Sequence, residues 1–99
     1  MYARMSRFAG LPPERIEPTL DEFESQQLPL IEQEPGYKGV LVMVDRGQGK
    51  AVALTFWESE EDMKASERAA QAARSQAMET GGPEREPVVE RHEIVLQKP

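Results

Sequence analysis

Residues 37–57, YKGVLVMVDRGQGKAVALTFW, contain two runs of strand-forming residues separated by a glycine-rich turn. This arrangement predicts a β-hairpin, because β-branched and aromatic residues favour strands and DRGQG permits the chain to reverse. A strand with one face in water alternates apolar and polar residues. Here both faces are apolar, with Val42 and Val44 on one side and Leu41 and Met43 on the other. The hairpin therefore needs cover on both sides.

Proline, glycine and capping residues divide the first part of the chain. We predict a first strand at residues 2–9 and a proline-rich connector at 10–18. Thr19 is predicted to begin a helix, because TLDE matches a capping box. Pro29 should kink that helix or end its regular part, and the Pro-Gly pair at 35–36 should stop it.

The second part of the chain predicts one more helix and one more strand. Ser59 opens a second capping box, SEED, before an alanine-rich helix over residues 60–79. Gly81-Gly82-Pro83 should end it, and residues 87–96 should form the last strand. The order βαββαβ predicts an α+β, ferredoxin-like sandwich with a four-stranded antiparallel sheet and two helices on one face. In that topology the first strand lies between the third and the fourth.

Length and charge limit the classes of protein to which this chain can belong. Its 99 residues are enough for one domain, over residues 1–99, and 38% of them are hydrophobic. The net charge of −6 argues against binding to nucleic acid or to anionic membranes. There is no cysteine, no secretory signal and no apolar run of the ~20 residues that cross a bilayer. We expect a cytoplasmic protein.

The second apolar face of the sheet predicts a homodimer. Two copies that pack sheet against sheet around a twofold axis would cover this face in both protomers. Each large side chain left in water would forgo about 1.5–3 kcal/mol. We therefore expect a dimer that forms through the sheet faces.

Three segments resemble the antibiotic biosynthesis monooxygenase-like family. They are MSRFAGLPPE around the first strand, LPLIEQEPGYKGV between helix and strand, and LTFWESEEDMKA between the third strand and the second helix. The resemblance implies a dimeric α+β barrel with a ligand cavity between sheet and helices. It also implies that the tryptophan ending the third strand, here Trp57, lines that cavity in part.

The same resemblance implies two kinds of chemistry. Some relatives oxidise polyphenolic or quinol-type substrates with O2 and without metal or flavin, whereas others bind and degrade haem. Many carry an Asn-Arg pair on the first strand, where this chain has Ser6-Arg7 and no asparagine anywhere. The haem-degrading relatives use a histidine on the second helix, and residues 60–79 contain none. No cofactor is therefore predicted.

Four residues are candidates for a catalytic role. Trp57 is either a core residue or a ring that stacks on an aromatic ligand. Arg4 and Ser6 share one face of the first strand and either stabilise a phenolate or pair with acids within the protein. His92 is either a proton acceptor or a surface histidine, and Glu90-x-His92 supplies too few ligands for a metal.

The predicted ligand pocket consists of Trp57, Ser6, Arg4, Thr55 and Phe23, and no metal site is predicted. The sequence favours a homodimer that binds a small aromatic or apolar molecule and, if it is an enzyme, acts as a cofactor-independent monooxygenase on quinol or polyphenol substrates. The alternative is a non-catalytic dimeric module that senses a metabolite or binds a partner protein.

Overall fold

Four strands form one antiparallel sheet in the computed structural model, which describes residues 1–99. The strands are β1 (Tyr2–Phe8), β2 (Tyr37–Asp45), β3 (Lys50–Trp57) and β4 (Val88–Glu93). Their order across the sheet is β2-β3-β1-β4, so β1 lies between β3 and β4 as predicted. The ferredoxin-like fold is confirmed.

Two helical regions cover one face of this sheet. The first consists of α1 (Pro13–Glu22), a π-helical turn (Phe23–Gln27) and α2 (Leu28–Glu32), and the second consists of α3 (Glu60–Ala65) and α4 (Glu67–Gly81). The core between sheet and helices centres on Ile31, Trp57, Met63 and Ala73. None of the helices combines the length and the apolar character that crossing a membrane would require.

The predicted start of the first helix at Thr19 is wrong, because the helix begins six residues earlier at Pro13. Proline is favoured at a first helical position, where its missing amide hydrogen would have no partner in any case. The side chain of Ile16 anchors this early turn in the core with 3% of its surface exposed. Thr19 lies inside the helix, and its hydroxyl donates to the Arg15 carbonyl at 2.6 Å.

The predicted disturbance at Pro29 is present as a change of helix type. Pro29 has no amide hydrogen to donate one turn back, so the helix lacks one backbone hydrogen bond at this point. The preceding turn is wound as a π-helix, in which the amide of Leu28 donates to the carbonyl of Phe23. This wider turn places Phe23 over the sheet.

The second helical region begins at the predicted residue but is divided in two. The Ser59 hydroxyl accepts from the amide of Asp62 at 3.1 Å, which is the predicted N-cap. The helix breaks at Ser66, whose hydroxyl donates to the Met63 carbonyl at 2.7 Å. Gly82 ends α4 in the left-handed conformation, with φ of 57°.

The last strand is shorter than the predicted 87–96, since it ends at Glu93. Its partner β1 begins at Tyr2, and the pairing ends there apart from the hydrogen bond from the amide of Ile94 to the carbonyl of Met1. Val95 and Leu96 are consequently 85% and 75% exposed.

Candidate functional site

A cavity of about 100 Å³ lies between the inner face of the sheet and the helices, and it is open on one side. Thirteen of its sixteen lining residues are hydrophobic. The three others are Ser6, Thr19 and Arg74. An apolar wall with few polar groups is typical of a site that binds small molecules.

Small side chains create this space. Ala51 and Ala53 of β3 face the cavity from the sheet. Ala70, Ala73 and Ala77 face it from α4, at a spacing that places them on one side of the helix. Where two alanines face each other, no side chain fills the gap between sheet and helix. The cavity therefore exists because these positions lack larger side chains.

Trp57 lies outside this wall, in the neighbouring core. Its side chain has no exposed surface, and its indole nitrogen donates to the Thr55 hydroxyl at 2.9 Å. The Tyr37 ring meets the indole edge to face, with centroids 5.9 Å apart. The Arg4 guanidinium carbon lies 5.8 Å from the indole centroid. These contacts fix the indole on several sides.

Arg4 is buried under the break between α3 and α4, with 2% of its surface exposed. Its guanidinium donates to the carbonyl of Met63 and to the hydroxyl of Ser66, and it pairs with Glu67 at 3.0 Å. Burial lowers the pKa of Arg4; Glu67 opposes this effect, while the nearby charges of Arg74 and Arg91 add to it.

Glu67 is the acidic centre of a cluster of arginines. Arg74 and Arg91 contact the same carboxylate at 2.8 and 2.7 Å. Burial alone would raise the pKa of Glu67, but the hydrogen bond from Arg74, the charge of Arg4 and the hydrogen bond from Arg91 together hold it below its usual value. We call Arg4, Glu67, Arg74 and Arg91 the arginine cluster.

The structure divides the predicted pocket residues into two groups. Ser6 and Phe23 line the cavity. Trp57, Thr55 and Arg4 do not, because they pack together beside it under α3.

His92, which was predicted, and Arg74, which was not, also differ in their position relative to the cavity. His92 lies on the opposite face of the sheet, where it is 57% exposed and contacts Glu90 at 3.0 Å, so it does not reach the cavity. Arg74 was not predicted, although its helical spacing beside Ala70, Ala73 and Ala77 already places it on the inner side of α4.

The other face of the sheet, here called the outer face, has no helix over it. It carries Leu41 and Met43 of β2 and Val88 of β4, which are 48%, 49% and 51% exposed. Between them lie the apolar side chains of the central strands, Met5, Val52, Leu54 and Phe56. The polar end of this face is formed by Arg7, Glu90 and His92.

Comparison with known families agrees with the ferredoxin-like fold. The family model described as antibiotic biosynthesis monooxygenase matches residues 1–78. The chain belongs to the antibiotic biosynthesis monooxygenase family. No curated protein sequence matches this family member significantly.

Solved structures resemble this family member closely in fold and weakly in sequence. A monooxygenase from Streptomyces coelicolor, ActVA-Orf6 in complex with nanaomycin D, has 16% identity and a TM-score of 0.73, covering 98% of this chain and 92% of that one. The haem-degrading protein MhuD from Mycobacterium tuberculosis, with two haems bound, has 19% identity and a TM-score of 0.72 over 100% of both chains. A dimeric ferredoxin-like protein from an uncultured marine organism has 8% identity and a TM-score of 0.72, covering 98% and 90%.

The residues of this family member do not fit haem. Its only histidine, His92, lies on the outer face and not at the cavity. The cavity itself, about 100 Å³, is smaller than the ~150 Å³ of an engineered cavity that holds one benzene molecule. The cavity therefore offers a haem no histidine ligand, and its volume is too small to enclose the whole group.

Proposed function

We propose that this family member is a homodimer that binds a small aromatic or apolar molecule in the cavity between sheet and helices. The observation that carries the proposal is the cavity wall, in which thirteen of sixteen residues are hydrophobic. About 100 Å³ holds part of a single ring or a short branched chain, since ~150 Å³ holds one benzene molecule. A larger ligand would extend through the open side.

The outer face supports the homodimer. Each large apolar side chain moved out of water contributes about 1.5–3 kcal/mol, and several such side chains are half exposed on this face. Two outer faces related by a twofold axis would bury Leu41, Met43 and Val88 of both copies. One solved structure of the same fold is described as a dimeric ferredoxin-like protein.

The reaction that fits this family is oxidation of a quinol or polyphenol by O2 without a cofactor. One oxygen atom enters the substrate and the other leaves as water, while the substrate supplies the two electrons and the two protons that form this water. Ser6 would donate a hydrogen bond to a phenolate oxygen, and its position in the cavity wall supports this role. Trp57 and Arg4 would act behind the wall as supports for its shape.

A second candidate function is binding without chemistry, as in a module that senses a metabolite or serves a partner protein. It is favoured by the absence of a general acid or base from the cavity wall. Of the sixteen lining residues only Arg74 carries an ionisable side chain, and a guanidinium does not release its proton in a protein. A substrate proton would therefore have to pass to water.

A pair of variants on α4 tests whether the cavity is the site. Ala77→Leu puts a large side chain into the cavity, whereas Ala72→Leu makes the same change at an exposed position of the same helix. We expect toluene, followed by chemical shifts in nuclear magnetic resonance, to bind the wild type and Ala72→Leu but not Ala77→Leu. Equal binding by all three would contradict the proposal.

Oxygen consumption separates the two candidate functions. Wild-type protein is mixed with a panel of quinols and polyphenols in an oxygen electrode, with Ala77→Leu as the blocked control. Turnover that is present in the wild type and lost in the blocked variant identifies an enzyme. Binding without any oxygen uptake identifies the non-catalytic module.

A further inference from the structure

Arg74 is the only charged residue in the cavity wall, and it is deeply buried. It lies on α4 next to Ala73, and only 8% of its surface is exposed. One terminal nitrogen, Nη2, donates to Glu67 at 2.8 Å and to Gln71 at 2.9 Å. The other, Nη1, is buried and has no hydrogen-bond partner. A buried donor without a partner carries a desolvation cost that a bound acceptor would remove.

The arginine cluster itself carries more positive than negative charge. The arginine cluster brings three guanidinium groups onto the single carboxylate of Glu67, which is a net charge of +2. Arg4 also has two buried nitrogens without partners, Nε and Nη1. The charges of Arg74 and Arg91 lower the pKa of Arg4, as expected when like charges are not fully neutralised. Glu67 therefore neutralises only one of the three positive charges of the cluster.

The cavity lies beside this excess of positive charge. Arg74 belongs both to its wall and to the arginine cluster, so the excess charge lies directly behind an apolar surface. Charges interact more strongly across a poorly polarisable wall than they do through water. A ligand with a negative group would therefore gain more here than a neutral ligand of the same shape.

We propose that the ligand of this cavity is a small carboxylic acid, with an apolar body of about one ring and a carboxylate that faces Arg74. The inference rests on the proposed binding function and adds the charge of the ligand to it. The apolar wall holds the ring, Arg74 binds the carboxylate, and Glu67 keeps Arg74 in position. Ser6 is the second polar group of the wall that can donate to the ligand.

Benzoate and benzamide test this proposal on the wild-type protein, because they share a shape and differ in charge. Binding of each is measured by titration calorimetry and by chemical shifts of the arginine side chains. We expect benzoate to bind at least about tenfold more tightly than benzamide, the effect of a charge-assisted hydrogen bond. Equal affinities would overturn the charge preference.

Two arginine variants assign the preference to a residue. Arg74→Gln removes the charge at the wall, and Arg68→Gln removes one from an exposed position of the same helix. Benzoate should lose its advantage in Arg74→Gln and keep it in Arg68→Gln. An unchanged preference in a folded Arg74→Gln protein would overturn the role of Arg74. If that variant does not fold, the wild-type comparison and the shifts of Arg74 decide.

Failure of the inference can be distinguished from failure of the proposed function. If toluene and benzamide bind in the cavity as well as benzoate does, the site exists and the charge preference is refuted. If none of the three binds, the cavity is not a ligand site, and both proposals are refuted together.

Discussion

Replacement of Trp57 by alanine should remove a large part of the stability of this fold. A buried tryptophan covers ~150–250 Å² of surface, which at ~25 cal/mol per Å² corresponds to about 4–6 kcal/mol. Large-to-small core substitutions of this kind cost about 3–5 kcal/mol. A chain of 99 residues is stabilised by about 5–15 kcal/mol in total. Trp57→Ala therefore removes between about a fifth and all of that stability.

The same loss can be expressed as a melting temperature. An unfolding entropy of ~2.1 cal/mol/K per residue gives about 0.2 kcal/mol/K for 99 residues, so a loss of 4 kcal/mol lowers Tm by about 20 °C. Circular dichroism at fixed protomer concentration measures it, because the Tm of a dimer depends on concentration. Trp57→Phe is the matched control, since it keeps a buried aromatic ring and loses the hydrogen bond to Thr55 and only part of the ring volume.

The stability lost in Trp57→Ala also distinguishes a packed core residue from a ring that stacks on a ligand. An indole that mainly served to stack on a ligand would stand beside empty space, and its removal would cost little stability. A loss below about 1 kcal/mol would therefore refute our interpretation of Trp57 as a packed core residue. The expected large loss would mean that a defect in activity of Trp57→Ala reports on the fold as well as on the site.

Three further predictions concern the outer face, the arginine cluster and the helix cap. Met43→Glu should convert the proposed dimer into monomers in analytical ultracentrifugation, and a dimer that persists would show that the outer face is not its interface. Because the folded pKa of Glu67 is lowered, its stabilising effect is present above the ordinary carboxyl pKa and is lost as pH falls through the lowered value. Glu67→Gln should be less stable at neutral pH and lose less on acidification; parallel curves of unfolding free energy against pH would contradict this. Ser59→Ala should cost about 1 kcal/mol in urea unfolding through loss of the N-cap, and no change would contradict the cap at Asp62.

Several features of the fold could be predicted because they depend on local sequence. The hairpin of β2 and β3 follows from two strand-forming runs around one turn. The cap at Ser59 and the stop at Gly82 follow from residue types with defined backbone preferences. The strand order follows from the succession of elements, since few topologies accommodate βαββαβ.

The wrong predictions lie where distant residues decide the local structure. The helix begins at Pro13 because the side chain of Ile16 packs in the core. The sequence of residues 10–18 alone does not reveal this packing. The last strand stops at Glu93 because its pairing with β1 ends at Tyr2, which is a property of the partner strand.

The sequence by itself determined the order of elements, the sheet that is apolar on both faces, and the family. Only the tertiary structure decided which predicted residues share a site. It placed Ser6 and Phe23 at the cavity, Trp57 and Arg4 in the packed core beside it, and His92 on the far side of the sheet. Periodicity fixes the face on which a side chain lies, whereas its neighbours come from elements distant in the chain. The arginine cluster, which joins β1, α4 and β4, exists only through that packing.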